Sequence, residues 1–148
     1  MNQLKVLFVC VHNSARSQMA EAFLNHLGKG QFIAESAGLE PGTLNPVVVT
    51  AMELEGIDIS GNKTKTIKST LSSGKSFDYV ITVCDESNAE KCPIVPGSGK
   101  RIHWSFDDPS AIEGPYIEKL NQTLLIMQQI KSRIEDWIAE IKTQNNFS

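Results

Sequence analysis

The chain has 148 residues, 41% of them hydrophobic, and a formal net charge of -3 from 14 Lys and Arg against 17 Asp and Glu. That length and apolar fraction suit one domain, residues 1–148, built on a single core. The weakly acidic balance excludes a general nucleic-acid or membrane surface, since Lys63, Lys65 and Lys68 are the nearest approach to a basic stripe and read as a solvated face.

Leu4 to Val9 is an apolar run that predicts a first strand, reached from Met1-Asn2-Gln3 without a signal peptide, and a cytoplasmic protein is expected. Three cysteines in a reducing compartment are not a structural disulfide framework and stay available for chemistry. Met19, Ala20, Ala22, Phe23 and Leu27 recur at helical intervals up to Gly28, so Cys10 to Ser14 must turn the chain from strand to helix. Phe32 to Ala34 predicts a second strand, leaving through Glu35-Ser36-Ala37-Gly38. Asn45-Pro46 opens a helix running through Val49, Met52 and Leu54 to Gly56, because Asn caps free N–H groups and proline is preorganised for a first turn. Ile57 to Thr66 reads as loop and Ile67 to Ser73 as a short helix.

Phe77 to Cys84 is a nearly continuous apolar run, the pattern of a strand buried on both faces. A polar stretch from Asp85 to Lys91 leads to Cys92-Pro93, then Arg101 to Trp104 predicts a fourth strand and Ser105 to Pro109 a loop. From Tyr116 to about Lys142 the apolar residues Ile117, Leu120, Leu124, Met127, Ile130, Ile134, Ile138 and Ile141 fall three or four apart, the signature of a long amphipathic helix, with a disordered tail expected from Thr143. Strands alternating with helices predict a three-layer α/β fold, a parallel four-stranded sheet flanked by helices through right-handed crossovers. Ligands of such sheets sit beyond the carboxyl ends of the strands, where Cys10, Ser36, Cys84 and the Asp107-Asp108 loop are all expected.

The chemistry concentrates between Cys10 and Ser17. A Cys and an Arg six positions apart, at a strand-to-helix turn, can enclose a tetrahedral oxyanion: N–H groups of Val11, His12, Asn13, Ser14 and Ala15 form a nest, the helix N-terminus adds positive charge, and Arg16 supplies a planar fork. The same field favours the thiolate of Cys10, the attacking form, and the Ser17 hydroxyl can donate to it. Either Cys10 or Arg16 alone would read as structural; the pair at this junction reads as functional. His12 either adds charge to the cradle or hydrogen-bonds outward. No metal is expected, because the three cysteines lack close paired spacing and His103 falls in a strand pattern.

The Cys10 to Arg16 loop with Ser17, together with Asp108-Pro109 downstream, resembles the low-molecular-weight protein tyrosine phosphatase fold. Within it, Arg16-Ser17-Gln18-Met19-Ala20-Glu21, Ser36-Ala37-Gly38, Leu44-Asn45-Pro46, Gly56 to Ser60 and Trp104 to Pro109 resemble the thioredoxin-coupled arsenate reductases, and Cys84 with Cys92-Pro93 carries that distinction. The chain departs from the pattern at Val11-His12 and Ala15, and in a longer interval from Cys84 to Cys92.

The resemblance implies that Cys10 attacks arsenate held by the loop and Arg16, that Asp108 protonates the departing oxygen, and that Cys84 and then Cys92 relay the oxidation to an external dithiol. That dithiol is thioredoxin, or alternatively glutaredoxin with glutathione; no bound cofactor is implied, phosphate and sulfate compete with arsenate, and a monomer suffices. A phosphatase hydrolysing phosphomonoesters would need only Cys10, Arg16 and Asp108, but Ser110-Ala111-Ile112 lacks the tyrosines that would flank an aromatic substrate. A non-catalytic anion sensor would leave nucleophile, clamp and acid idle.

Overall fold

Val6, Phe8 and Cys10 face one layer of helices while Leu7 and Val9 face the other, so the strand that carries them, β1 (Leu4–Cys10), is buried on both sides and lies inside the sheet. The computed structural model describes residues 3–40, 42–84, 95, 97 and 99–145. Among these, β2 (Phe32–Gly38), β3 (Tyr79–Thr82) and β4 (Lys100–His103) join β1 in a parallel sheet of order β2-β1-β3-β4. Because every strand runs the same way, their carboxyl ends share one edge.

One face carries α1 (Arg16–Leu27), α2 (Pro46–Leu54) and α4 (Tyr116–Asn145); the other carries α3 (Ile67–Ser72), whose Ile67 packs with Leu7, Val9 and Val80. This is the layered parallel sheet that the alternating pattern predicts. The apolar stripe of α4 is core: Met127, Ile130, Ile134, Trp137 and Ile141 are buried, and the Trp137 ring meets Phe32, Tyr79 and Trp104 at 5.4, 5.1 and 5.9 Å. The Arg133 guanidinium covers Trp104 at 4.9 Å.

Several boundaries differ from the sequence reading: β3 is shorter than the apolar run from Phe77 to Cys84, and β4 starts one residue before Arg101 and stops before Trp104. Helix α4 continues past Thr143 to Asn145, where a disordered tail is expected: Ile141 is buried and the Thr143 hydroxyl donates to the Ala139 carbonyl, so the last turn keeps both packing and hydrogen bonds. Strand β2 runs through Gly38, because every residue from Phe32 to Gly38 finds a partner on β1. The polar stretch after Cys84, with Cys92-Pro93, lies outside the described residues. No described helix is long and apolar enough to cross a membrane.

Candidate active site

Helix α1 begins without a side-chain cap. Ala15 occupies the N-cap position, no acidic residue lies in the first turn, and the leading N–H groups stay available to an anion instead of an internal acceptor. Asn13 adopts a left-handed conformation at φ 57°, which Asn tolerates better than most residues, and this bends the loop back over Cys10. The Asn13 N–H then donates to Cys10 Sγ at 3.1 Å.

A chain of hydrogen bonds fixes the orientation of the Asn13 amide beside Ser17. The Lys65 backbone N–H can only donate, and it donates to Asn13 Oδ1 at 2.9 Å, where Gln18 Nε2 also donates at 3.0 Å. Asn13 Nδ2 therefore faces the other way and donates to Ser17 Oγ at 2.8 Å. Ser17 Oγ also lies 2.9 Å from Cys10 Sγ, a contact in which its hydroxyl can donate to the sulfur. The sulfur thus meets the Asn13 N–H and the Ser17 hydroxyl at once. Cys10 is a buried free thiol, and Asn13, Ser17 and Gln18 are buried with it.

Arg16 is 6% exposed, with Nη1 donating to the Phe106 carbonyl at 3.0 Å and Nη2 lying 3.7 Å from Asp108 Oδ2. The loop after β4 therefore grips the guanidinium that the oxyanion would meet. Asp107 is exposed, whereas Asp108 is half-buried, caps the 3-10 turn Pro109–Ala111 through the Ser110 N–H, and turns its other oxygen toward Arg16.

The rest of the loop is tied down from outside. The Val11 and Ser14 carbonyls accept from the N–H groups of Glu40 and Asn45 at 3.0 and 2.9 Å, and Ala15 is buried. His12 is exposed, with Nδ1 3.9 Å from the Glu40 carboxylate.

Cys84 is buried and disulfide-bonded, and follows the Val83 N–H that donates to the Val9 carbonyl at 2.9 Å, so it leaves β3 beside the exit of β1 that carries Cys10. Cys92 lies outside the described residues.

Ser36 does not join the others at the sheet edge. It pairs with Phe8, inside β2, and its hydroxyl donates to Glu21 of α1 at 2.9 Å. Burial holds the Glu21 carboxyl above its ordinary value, opposed by the Ser36 hydrogen bond and by Lys65. A carboxyl raised in the folded state binds more protons there than in the unfolded chain, so stability falls as pH rises from the ordinary glutamate value through the raised one. Glu21→Gln keeps an acceptor for Ser36 and removes the titration, so its melting temperature is expected to vary less with pH across that window than the parent's. Thermal unfolding at a series of pH values tests this, and parallel profiles would contradict it.

Sequence reasoning missed Gln18, the Lys65 N–H and the Phe106 carbonyl as parts of the site. Gln18 gave a signal in retrospect: a large polar side chain in the first turn of a helix whose neighbours, Met19 and Ala20, are core. The two backbone groups carry no residue-type signal at all. Among the described residues no group of three or more His, Cys, Asp or Glu could hold a metal.

The low molecular weight phosphotyrosine protein phosphatase family matches residues 5–146. An arsenate reductase of Shouchella clausii is 39% identical over 135 residues, covering 91% of this chain and 95% of that one. A solved arsenate reductase in its phosphate binding state superposes with a TM-score of 0.75 at 33% identity, over 94% of this chain and 99% of the other. The thioredoxin-dependent arsenate reductase of Corynebacterium glutamicum matches with a TM-score of 0.68 at 29% identity, over 96% of this chain and 63% of that one. Likeness of sequence and fold along nearly the whole chain places this protein in the low molecular weight phosphotyrosine protein phosphatase family, among its arsenate reductases.

Proposed function

We propose that the protein reduces arsenate to arsenite and passes the oxidation through its other cysteines to an external dithiol. The observation that carries this reading is the contrast between two thiol sites on neighbouring strands: Cys10 free inside an anion cradle, and Cys84 buried and disulfide-bonded at the end of β3. A hydrolase of this family needs only the first.

Arsenate enters the loop against the N–H groups from Val11 to Ser17 and the Arg16 guanidinium, which meet its charge. Cys10 thiolate attacks arsenic while Asp108 protonates the departing oxygen, which leaves as water. Cys84, once the external dithiol has reduced its disulfide to the thiolate, then attacks Cys10 sulfur. The S–As bond breaks with its electron pair staying on arsenic, so arsenic is reduced from the pentavalent to the trivalent state and Cys10–Cys84 becomes a disulfide. Cys92 attacks Cys84, frees Cys10 and leaves a Cys84–Cys92 disulfide for the external dithiol. That dithiol is thioredoxin, as the Corynebacterium glutamicum relative's dependence supports, with glutaredoxin and glutathione the alternative. Phosphate and sulfate share the tetrahedral shape and compete. Residual aryl phosphate hydrolysis fits the shared nucleophile, clamp and acid. The same proposal places the protein in the cytoplasm as a single-domain monomer without a bound cofactor.

The test supplies arsenate with thioredoxin, thioredoxin reductase and NADPH and compares the parent with Cys84→Ser and Cys92→Ser. Cys84→Ser is expected to release no arsenite, and Cys92→Ser to release a single equivalent and stall, while both keep aryl phosphate hydrolysis. If both variants oxidise NADPH as fast as the parent, the relay is wrong. Exchanging thioredoxin for glutaredoxin and glutathione in the same assay identifies the reductant.

A further inference from the structure

Asn45 touches three parts of the molecule at once. Its backbone N–H donates to the Ser14 carbonyl of the cradle at 2.9 Å. Its Oδ1 caps α2, accepting from Val47 and Val48 at 2.9 and 3.4 Å. Its Nδ2 donates to Ser110 Oγ at 2.9 Å, in the turn that follows Asp108-Pro109. The cap fixes the amide orientation: with Oδ1 held by two N–H groups, Nδ2 is obliged to face Ser110.

Ser110 in turn selects the working oxygen of Asp108. Its N–H occupies Asp108 Oδ1 at 2.9 Å, and Oδ2 is the oxygen left facing Arg16 at 3.7 Å. The path from cradle to acid therefore runs Ser14, Asn45, Ser110, Asp108, each link a hydrogen bond of 2.9 Å. Ser110 is exposed on a single 3-10 turn whose Pro109 is buried. Ser, Thr or Asp would cap α2 as well as Asn does. What Asn adds is the donor, and the donor serves only Ser110.

We infer that Asn45 is a positioning residue for the general acid: it sets the distance between Asp108 and the oxyanion loop, in addition to capping α2. The inference rests on the reading of Asp108 as the proton donor. A brace of this kind acts on turnover and leaves binding of the oxyanion alone, because every contact of the loop with the anion survives its removal.

Asn45→Ser keeps a neutral cap on α2 but is too short to reach Ser110; Ser110→Ala removes the acceptor from the other side and leaves α2 untouched. Each is expected to lower kcat for arsenate on the order of tenfold, below the roughly 10²- to 10⁴-fold that a whole general acid contributes. Inhibition by phosphate should stay within about twofold of the parent, since the cradle is intact. In an Asp108→Asn background, neither substitution should cost anything more, because the group it positions is gone.

Full activity in both single variants would overturn the inference, as would a loss that persists undiminished in the Asp108→Asn background or one matched by weakened phosphate inhibition. If the parent itself reduces no arsenate, the proposed function fails. The same variants assayed on phenyl phosphate, whose leaving phenolate also needs a proton, then test the brace independently.

Discussion

Cys10→Ser is expected to abolish arsenate-dependent NADPH oxidation and aryl phosphate hydrolysis together, by on the order of 10⁴-fold or more, with phosphate still bound by the loop. The Asn13 N–H and the Ser17 hydroxyl meet Sγ at 3.1 and 2.9 Å, contacts placed around a sulfur. A serine hydroxyl would stay protonated at neutral pH, and no base stands beside it among the contacts of Cys10 to remove that proton. The α1 N-terminus and Arg16 are unaltered, so the variant should titrate with phosphate by calorimetry much as the parent does. Residual arsenate reduction within tenfold of the parent would remove Cys10 from the mechanism.

Gly38→Ala carries the second large effect. A Cβ at Gly38 would sit 2.7 Å from the Asn13 nitrogen and 2.8 Å from the His12 carbonyl carbon and the Val11 oxygen. All three are backbone atoms of the cradle, so no rotamer change relieves the clash. Retreat of the strand would disturb the bond from the Gly38 N–H to the Lys65 carbonyl at 2.8 Å. The loop must shift instead, and Asn13 with it. The expected cost is about 1–3 kcal/mol of stability, as for other overpacked sites. Activity should fall on the order of 10²-fold, since sub-ångström placement of nucleophile and donors is lost. Gly61→Ala, where a Cβ meets nothing within 4 Å, is the control and should match the parent. Thermal melts and phosphate titration of the pair check this, and an unchanged Gly38→Ala loop affinity would refute it.

Local features of the chain announced themselves in the sequence because their causes are local. The apolar run from Leu4 to Val9, the Asn45-Pro46 cap and the helical spacing from Ile117 to Ile141 each set their element through nearest-neighbour chemistry. The cap at Asn45 was legible as a cap; its second bond, to Ser110 across 65 positions, was not. Ser36 misled for a related reason. A polar residue near a strand end looks like a site residue, and only the pairing of β2 with β1 shows it two positions inside, facing Glu21.

By itself the sequence determined that a thiol and a guanidinium would share one tight turn, since only five residues separate the end of the strand from the start of the helix. It determined too that this turn would lie at the carboxyl edge of a parallel sheet. Only the tertiary structure decided which distant groups reach that turn. Ser17 accepts from Asn13, Asn13 is oriented by the Lys65 N–H, and Arg16 is held by a carbonyl 90 positions away. Backbone donors and acceptors are alike in every residue, so sequence cannot mark which of them will be used; folding marks them by bringing distant segments within hydrogen-bond range.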